Sequence, residues 1–309
     1  MSHAAFLSAT PDGIGAASHP FIKMHGLQNC FAVLDFRKRA STPQPEDIVR
    51  LCDPRVGIGA DQLIVIQHPS DKGRAAGAAA FMRIYNIDGR EVSACGNATR
   101  CVAYLLMEEA GVRWVRIETS AGILRCRLAG AMQVSVELGP VSLDWRKIPL
   151  AREADTLDLP VESGPLKHGV GINIGNPHAV FFVRGLDRAE FARHAAVVQN
   201  DHLFPQGANV EAVEVLDDRT IRLSIWERPG LLTEACGTGA CAAAFAARRR
   251  GLIHSDDVQV QMPGGTLTVR LDGDTTTMTG PVAFCCHGFV DLNADPPANA
   301  PNGQRIPNH

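Results

Sequence analysis

Two Cys-Gly pairs, Cys95-Gly96 and Cys236-Gly237, head two segments whose approaches match. A shift of 141 residues brings Ile84 onto Ile225, Tyr85 onto Trp226, Gly89 onto Gly230, Ala94 onto Ala235, and one cysteine onto the other. A polar residue stands nine positions before each thiol, Asn86 in one frame and Glu227 in the other. A thiol at a helix start, present twice in a duplicated frame, is equipment for taking a proton from one face of a carbon and returning one to the other face.

That chemistry explains the residue types. A proton alpha to a carboxylate is weakly acidic, so the carbanion must be stabilised as it forms. None of the lysines sits in a recognisable cofactor-anchoring setting, and without an electron sink the stabilisation must be electrostatic. A helix N-terminus offers unpaired N–H groups and partial positive charge. Two such ends, Gly96-Asn97 and Gly237-Thr238, would grip one carboxylate. The same ends are expected to lower the pKa of a thiol in the first turn. Inversion then needs one cysteine ionised while the other keeps its proton. The polar residues around the repeats, Asn29, Gln62, Asn86, Asn176, Asn209, Glu227 and Arg228, suit a zwitterionic substrate, with Arg228 able to hold a second carboxylate and Glu227 able to accept from an ammonium.

The elements that must position these residues are mostly strands. Short apolar stretches between Gly, Pro or Asp, such as FAVLDF, DQLIVIQ, FMRIYN, VRIET, QVSVEL, HAVFFV, VEAVEVL, TIRLSIW and VQVQM, predict a β-rich chain. Two helices stand out. One follows Cys95, with Ala98, Cys101, Val102, Leu105 and Leu106 at helical spacing and Gly111 at its end. The other follows Cys236 and is apolar on every face from Gly239 to Ala247, which predicts burial. The duplication reaches further, to Asn29 and Asn176. The expected fold is α/β (α+β), with two pseudo-symmetric domains, each a mixed β-sheet wrapped around a central helix. The expected division is a flexible tail over 1–20, a first domain over 21–138 plus 282–292, a second over 139–281, and a flexible tail over 293–309.

Composition excludes several classes. The chain has 309 residues, 45% hydrophobic and 20% charged, with a net charge of −3. Nothing here favours nucleic acid or an anionic membrane. No apolar run approaches the ~20 residues of a bilayer span, and the N-terminus reads as neither secretory signal nor transit peptide. Nine irregularly spaced cysteines argue against a disulfide framework and for a reducing cytoplasm. Cys30, Cys52, Cys101, Cys126, Cys241, Cys285 and Cys286 read as small core hydrophobes.

At KMHGLQN, GIGADQ, YNIDGREVSACGN, GNPH, the ANV around Asn209, WER, TEACGTGAC, MPGG and MTGP, the chain resembles the diaminopimelate epimerase family over roughly 21–292. The resemblance implies a pyridoxal-independent, metal-free isomerase interconverting LL- and meso-diaminopimelate for lysine and peptidoglycan synthesis. It implies Cys95 and Cys236 as the catalytic pair. It also implies Asn29, Gln62, Asn86, Gly96, Asn97, Asn176, Asn209, Glu227, Arg228, Gly237 and Thr238 as substrate contacts, and His178 and Glu227 as groups that tune the thiols. No cofactor is expected; the partner is a small-molecule substrate, with a homodimer as the assembly allowed for. The chain departs from the family pattern at Gln28 and Cys30, which flank Asn29, at Ala60, and at Pro229 after Arg228. A related two-cysteine racemase of another amino acid, or a thiol redox protein, are the competing readings.

Overall fold

The structure is a computed structural model, and it describes residues 2–7, 18–38 and 42–292. In chain order the elements are α1 (His3–Leu7), β1 (Ser18–Gly26), β2 (Asn29–Asp35), α2 (Pro45–Cys52), β3 (Gln62–Gln67), α3 (Asp71–Ala75), β4 (Ala80–Asn86), β5 (Glu91–Val92), α4 (Gly96–Ala110), β6 (Trp114–Thr119), β7 (Gly122–Gly130) and β8 (Gln133–Leu138). There follow β9 (Val170–Asn173), β10 (Pro177–Phe182), α5 (Arg188–Gln199), β11 (Asn209–Asp217), β12 (Thr220–Glu227), β13 (Leu231–Thr233), α6 (Gly237–Arg249), β14 (Asp257–Met262), β15 (Gly265–Asp272), β16 (Thr275–Pro281) and β17 (Ala283–Asp291).

Strand pairing repeats between the two halves. β2 runs parallel to β3, β3 antiparallel to β4, and β4 parallel to β6. In the same sequence, β10 runs parallel to β11, β11 antiparallel to β12, and β12 parallel to β14. The hairpins β6–β7–β8 recur as β14–β15–β16. The chain end returns to the first half, where β17 pairs with β1, and Ser142, just past β8, bridges to Asn173 of β9. The halves meet where β8 pairs with β16, Val136 opposite Met278. The sheet is therefore large and mixed, built from a duplicated unit.

The two central helices are buried for reasons their sequences state. In α4, Ala98, Cys101, Val102, Leu105 and Leu106 are all buried, and Gly111 ends the helix in the left-handed region at φ 65°. In α6, every residue from Gly237 to Ala247 is buried, and Arg248 and Arg249 supply positive charge to its last turn. Both helices share one apolar core with strands from both halves.

Several features depart from the sequence reading. The expected N-terminal tail includes residues with fixed places: α1 buries Ala4 and Leu7, the Ala4 N–H donates to Glu108 Oε2 at 3.0 Å, and Ser18–Pro20 already belong to β1. The 293–309 tail lies outside the described residues. Two helices of ordinary length were not anticipated. α2 begins with Pro45 at a first-turn position and buries Ile48, Leu51 and Cys52. α5 is capped by Asp187, whose Oδ1 accepts from the N–H groups of Ala189 and Glu190. Cys285 and Cys286 are exposed on β17 and Cys30 is half-buried, so these three are not core residues. The β1–β17 register slips between Lys23 and Met24, and Cys285 sits at this irregularity without a ladder partner.

Candidate active site

Cys95 and Cys236 occupy the N-cap positions of α4 and α6, each with extended backbone. The residues that follow them touch. A methyl group at Gly96 would lie 3.7 Å from the Gly237 Cα, and one at Gly237 would lie 3.6 Å from the Gly96 Cα. Met278, at the β8–β16 junction, packs against both: the same methyl groups would meet its Cε at 2.5 Å and its Sδ at 2.6 Å. The Met278 side chain thus leaves no free room for a Cβ at either helix start, while the two starts lie in ordinary van der Waals contact.

The polar residues divide into two sets about this contact. Around Cys95, Asn29 Oδ1 faces the sulfur at 3.9 Å and accepts from Asn97 Nδ2 at 3.3 Å. Asn97 also donates to the Ala235 carbonyl at 3.1 Å, so the first helix start is tied to the approach of the second. Asn29 is held in turn by Asp61, whose Oδ2 accepts from Asn29 Nδ2 at 3.1 Å and from the Cys30 N–H at 2.7 Å. Around Cys236, the sulfur accepts from the Gly239 N–H at 3.4 Å and lies 3.3 Å from Thr238 Oγ1. Asn176 Nδ2 donates to Thr238 Oγ1 at 3.4 Å. His178, wholly buried, spans Asn176 Oδ1 (3.0 Å) and Glu211 Oε1 (2.6 Å).

The remaining predicted contacts lie at strand ends. Gln62, at the start of β3, donates to Asn86 Oδ1 at the end of β4, at 2.9 Å. Asn209, at the start of β11, accepts the Arg228 N–H at 3.0 Å, while the Arg228 guanidinium reaches the Gln206 carbonyl at 3.1 Å. Glu227 accepts a 2.6 Å hydrogen bond from Thr233 Oγ1. The buried Gln62 Oε1 and Asn97 Oδ1 accept from no group among the described residues, leaving hydrogen-bonding capacity to spare.

Electrostatics corrects one expectation. Neither thiol is made acidic by its helix start. Burial pushes Cys95 up to about 11, opposed by the N–H groups of Asn97 and Ala98. Burial pushes Cys236 well above the ordinary thiol range, and the Glu227 and Glu211 carboxylates add to the rise. Desolvation outweighs the helix dipole here because the sulfurs sit inside the junction rather than at a wet helix tip. Glu227 is itself held above the ordinary carboxylate value, mainly by burial.

Three residues at the site escaped the sequence reading. Glu211 is wholly buried with its carboxylate on His178, and burial raises its pKa. Its signal was present: an acidic residue inside the apolar strand ANVEAV, two positions after Asn209. Asp61 orders Asn29 across two strands, a contact no local pattern announces. Arg100 is buried in α4 behind the junction.

A family model, diaminopimelate epimerase, matches residues 21–143 and 170–285. Relatives with that name include those of Rhodospirillum centenum, 41% identical over 93% of this chain and 98% of the relative, and Acidiphilium cryptum, 45% identical over 89% and 98%. The diaminopimelate epimerase of Rhizorhabdus wittichii is 47% identical over 89% of this chain and 96% of its own length. Among solved structures, a hydroxyproline epimerase from Agrobacterium vitis superposes with a TM-score of 0.63 at 18% identity, covering 90% of this chain and 94% of that one. A methylitaconate-delta-isomerase superposes at 0.64 and 12% identity, covering 92% and 99%; at these identities the two share the fold alone. The duplicated sheet, the paired helix starts and the sequence matches agree: the chain belongs to the diaminopimelate epimerase family.

Proposed function

We propose that this chain is a two-base epimerase interconverting LL-2,6-diaminopimelate and meso-2,6-diaminopimelate, with Cys95 and Cys236 as the bases. The observation that carries the reading is the contact of Gly96 with Gly237, which sets two cysteine-headed helix starts against one another. A substrate carboxylate held by N–H groups of both starts, with Asn97 and Thr238 beside it, leaves its α-carbon between the two sulfurs. One thiolate takes the α-proton and becomes a thiol. Charge developing on the carboxylate is stabilised by fixed N–H dipoles in a dry site. The opposite thiol delivers its own proton to the other face and becomes a thiolate, so each turnover leaves the pair exchanged, and the reverse reaction begins from that state. Because burial opposes ionisation of both sulfurs, the substrate ammonium helps to form the active thiolate by bringing positive charge to the junction.

In this reading Asn29 and Asn176 orient Cys95 and Thr238, and His178 with Glu211 fixes Asn176. Arg228 and Asn209, with Gln62 and Asn86, receive the distal amino-acid end of the substrate, and Glu227 accepts from an ammonium. The two halves act as domains, 21–138 plus 282–292 and 139–281, which close on the substrate at the helix junction. A cytoplasmic location is supported by nine cysteines that are all free thiols, and a homodimer is the assembly to look for by light scattering. Among the described residues, no helix is long and apolar enough to cross a membrane.

The test is turnover of LL-diaminopimelate in deuterated water. Deuterium should enter the α-position of both substrate and product in the native protein, and Cys95→Ala or Cys236→Ala should each lower turnover by about 10²–10⁴-fold, the usual worth of a positioned acid or base. Absence of α-deuterium from diaminopimelate refutes the substrate; full turnover by either single variant refutes the two-base assignment.

A further inference from the structure

The duplication is unequal at one buried position. The 141-residue shift that superposes the cysteines places Arg100 of α4 on Cys241 of α6, so the two halves hold one cation between them at this point. Arg100 has no exposed surface, and its Nε and Nη2 lack hydrogen-bond partners among the described residues. A guanidinium keeps its proton in proteins, and a buried charge without a counter-charge is strongly unfavourable. An apolar side chain of similar length would fill the same space without that cost.

The place of this charge is built by three strands and a helix. β1 and β16 each face it with a glycine: a methyl group at Gly26 would lie 2.8 Å from Nη2, and one at Gly280 would lie 3.3 Å from Nε. Its Nη1 donates to a thioether, Met278 Sδ, at 3.6 Å. Met278 is the side chain lodged against both helix starts, its Cε 2.5 Å from a methyl group at Gly96 and its Sδ 2.6 Å from one at Gly237. A thioether is uncharged and accepts weakly, so it spaces the guanidinium from the junction and leaves its charge uncancelled. In so dry a setting a unit charge one side chain away acts far more strongly than it would in water.

We propose that Arg100 is a positioning residue for charge: from behind Met278 its unpaired guanidinium gives the junction a positive potential that draws in a carboxylate and stabilises the negative charge growing there as the α-proton leaves. It adds one full charge to the partial charges of the two helix starts. Because Met278 abuts both starts, the potential serves both cysteines alike, and so serves proton transfer in either direction. The inference rests on the reading of the paired helix starts as a carboxylate site and on no particular substrate.

The experiment compares alkylation of the substrate-free protein by iodoacetate, a carboxylate, and by iodoacetamide, its neutral counterpart. Each cysteine is followed by peptide mass spectrometry in the native chain, Arg100→Met and Arg100→Lys. Both reagents attack the same thiolate, so changes in the ionisation or exposure of a sulfur cancel in the ratio of the two rates, and the effect of reagent charge remains. In the native chain the iodoacetate-to-iodoacetamide ratio should be higher at Cys95 and Cys236 than at the exposed Cys286. Arg100→Met should lower the ratio at Cys95 and Cys236 by about tenfold, the scale of a unit charge acting at short range through a buried medium, and leave it in place at Cys286; Arg100→Lys should keep most of it. Urea denaturation should show Arg100→Met at least as stable as the native chain, since it removes an unpaired buried charge. A ratio at Cys95 and Cys236 that Arg100→Met does not change overturns the proposal. So does a Met variant that is less stable or fails to fold, which would make the guanidinium part of the scaffold. A native ratio no higher than that at Cys286 refutes the carboxylate site and the inference with it, whereas the expected ratios beside a lack of deuterium exchange into LL-diaminopimelate support the inference and refute only the substrate.

Discussion

Substituting Gly96 by Ala tests whether the contact between helix starts controls the chemistry. The added methyl would lie 2.5 Å from Met278 Cε, against an ordinary contact of 3.4–4 Å, so about 1 Å must be found. Met278 is wholly buried and its strand is paired on both sides, with β8 and β15, so the room must come from the flexible end of its side chain shifting within a packed core. Overpacking of this kind costs about 1–3 kcal/mol of stability. If the strain moves the two starts apart, misplacement on the 1 Å scale costs turnover about 10²-fold. Met278→Ala alone removes the obstacle and leaves a cavity worth about 2–5 kcal/mol. In the double variant the new methyl occupies part of that cavity, so urea denaturation should show the two substitutions costing less together than the sum of their separate costs, by at least about 1 kcal/mol. Deuterium incorporation should recover in parallel. Additive stabilities would refute the proposed packing, and a Gly96→Ala protein with native turnover would refute the claim that this spacing matters to proton transfer.

Other consequences are simpler. Burial holds the folded-state pKa of Glu227 above its ordinary 4.5, so the folded chain binds more protons than the unfolded one above that value and loses stability as pH rises through the folded pKa. Glu227→Gln should flatten this fall, with the advantage of the variant in urea midpoint growing as pH increases; parallel pH curves would contradict it. Gln28 and Leu27 form the two-residue turn between β1 and β2 with φ of 67° and 56°, the left-handed region that costs ordinary residues about 1–2 kcal/mol. Gln28→Gly, less the extra chain entropy of glycine, should stabilise by about 0.5–1 kcal/mol, and a lowered urea midpoint would show that the Gln28 side chain contributes more than its backbone strain.

The parts of this molecule legible in the sequence were those where local pattern and function coincide. The helices after Cys95 and Cys236 announced themselves through apolar periodicity, and the glycines beside them are explained by the Met278 side chain packed against both. The alternating run from Gln133 to Leu138 became β8. α5 was missed although Asp187 and Glu190 have cap spacing, because the mixed charge of RAEFARHAAVVQ hides a face that buries only Phe191, Ala195, Val198 and Gln199. β1 was split because its first residues follow a Gly- and Ala-rich stretch; what fixes them is pairing with β17, more than 260 residues away. The expected acidification of the thiols failed for a related reason: a helix dipole can be read from a motif, but desolvation depends on how closely the rest of the chain surrounds the sulfur. Glu211, Asp61 and Arg100 gain their meaning only from partners brought near by the sheet.

The return of the chain end has a further consequence. Since β17 completes the edge beside β1, the first half is not finished by its own contiguous sequence. A fragment ending near Gly139 would expose the flank of β1 as an unpaired template, inviting self-association. Cutting the backbone there without discarding either piece should instead leave two fragments that still clasp one another, which makes this protein a candidate for reconstitution from co-expressed parts.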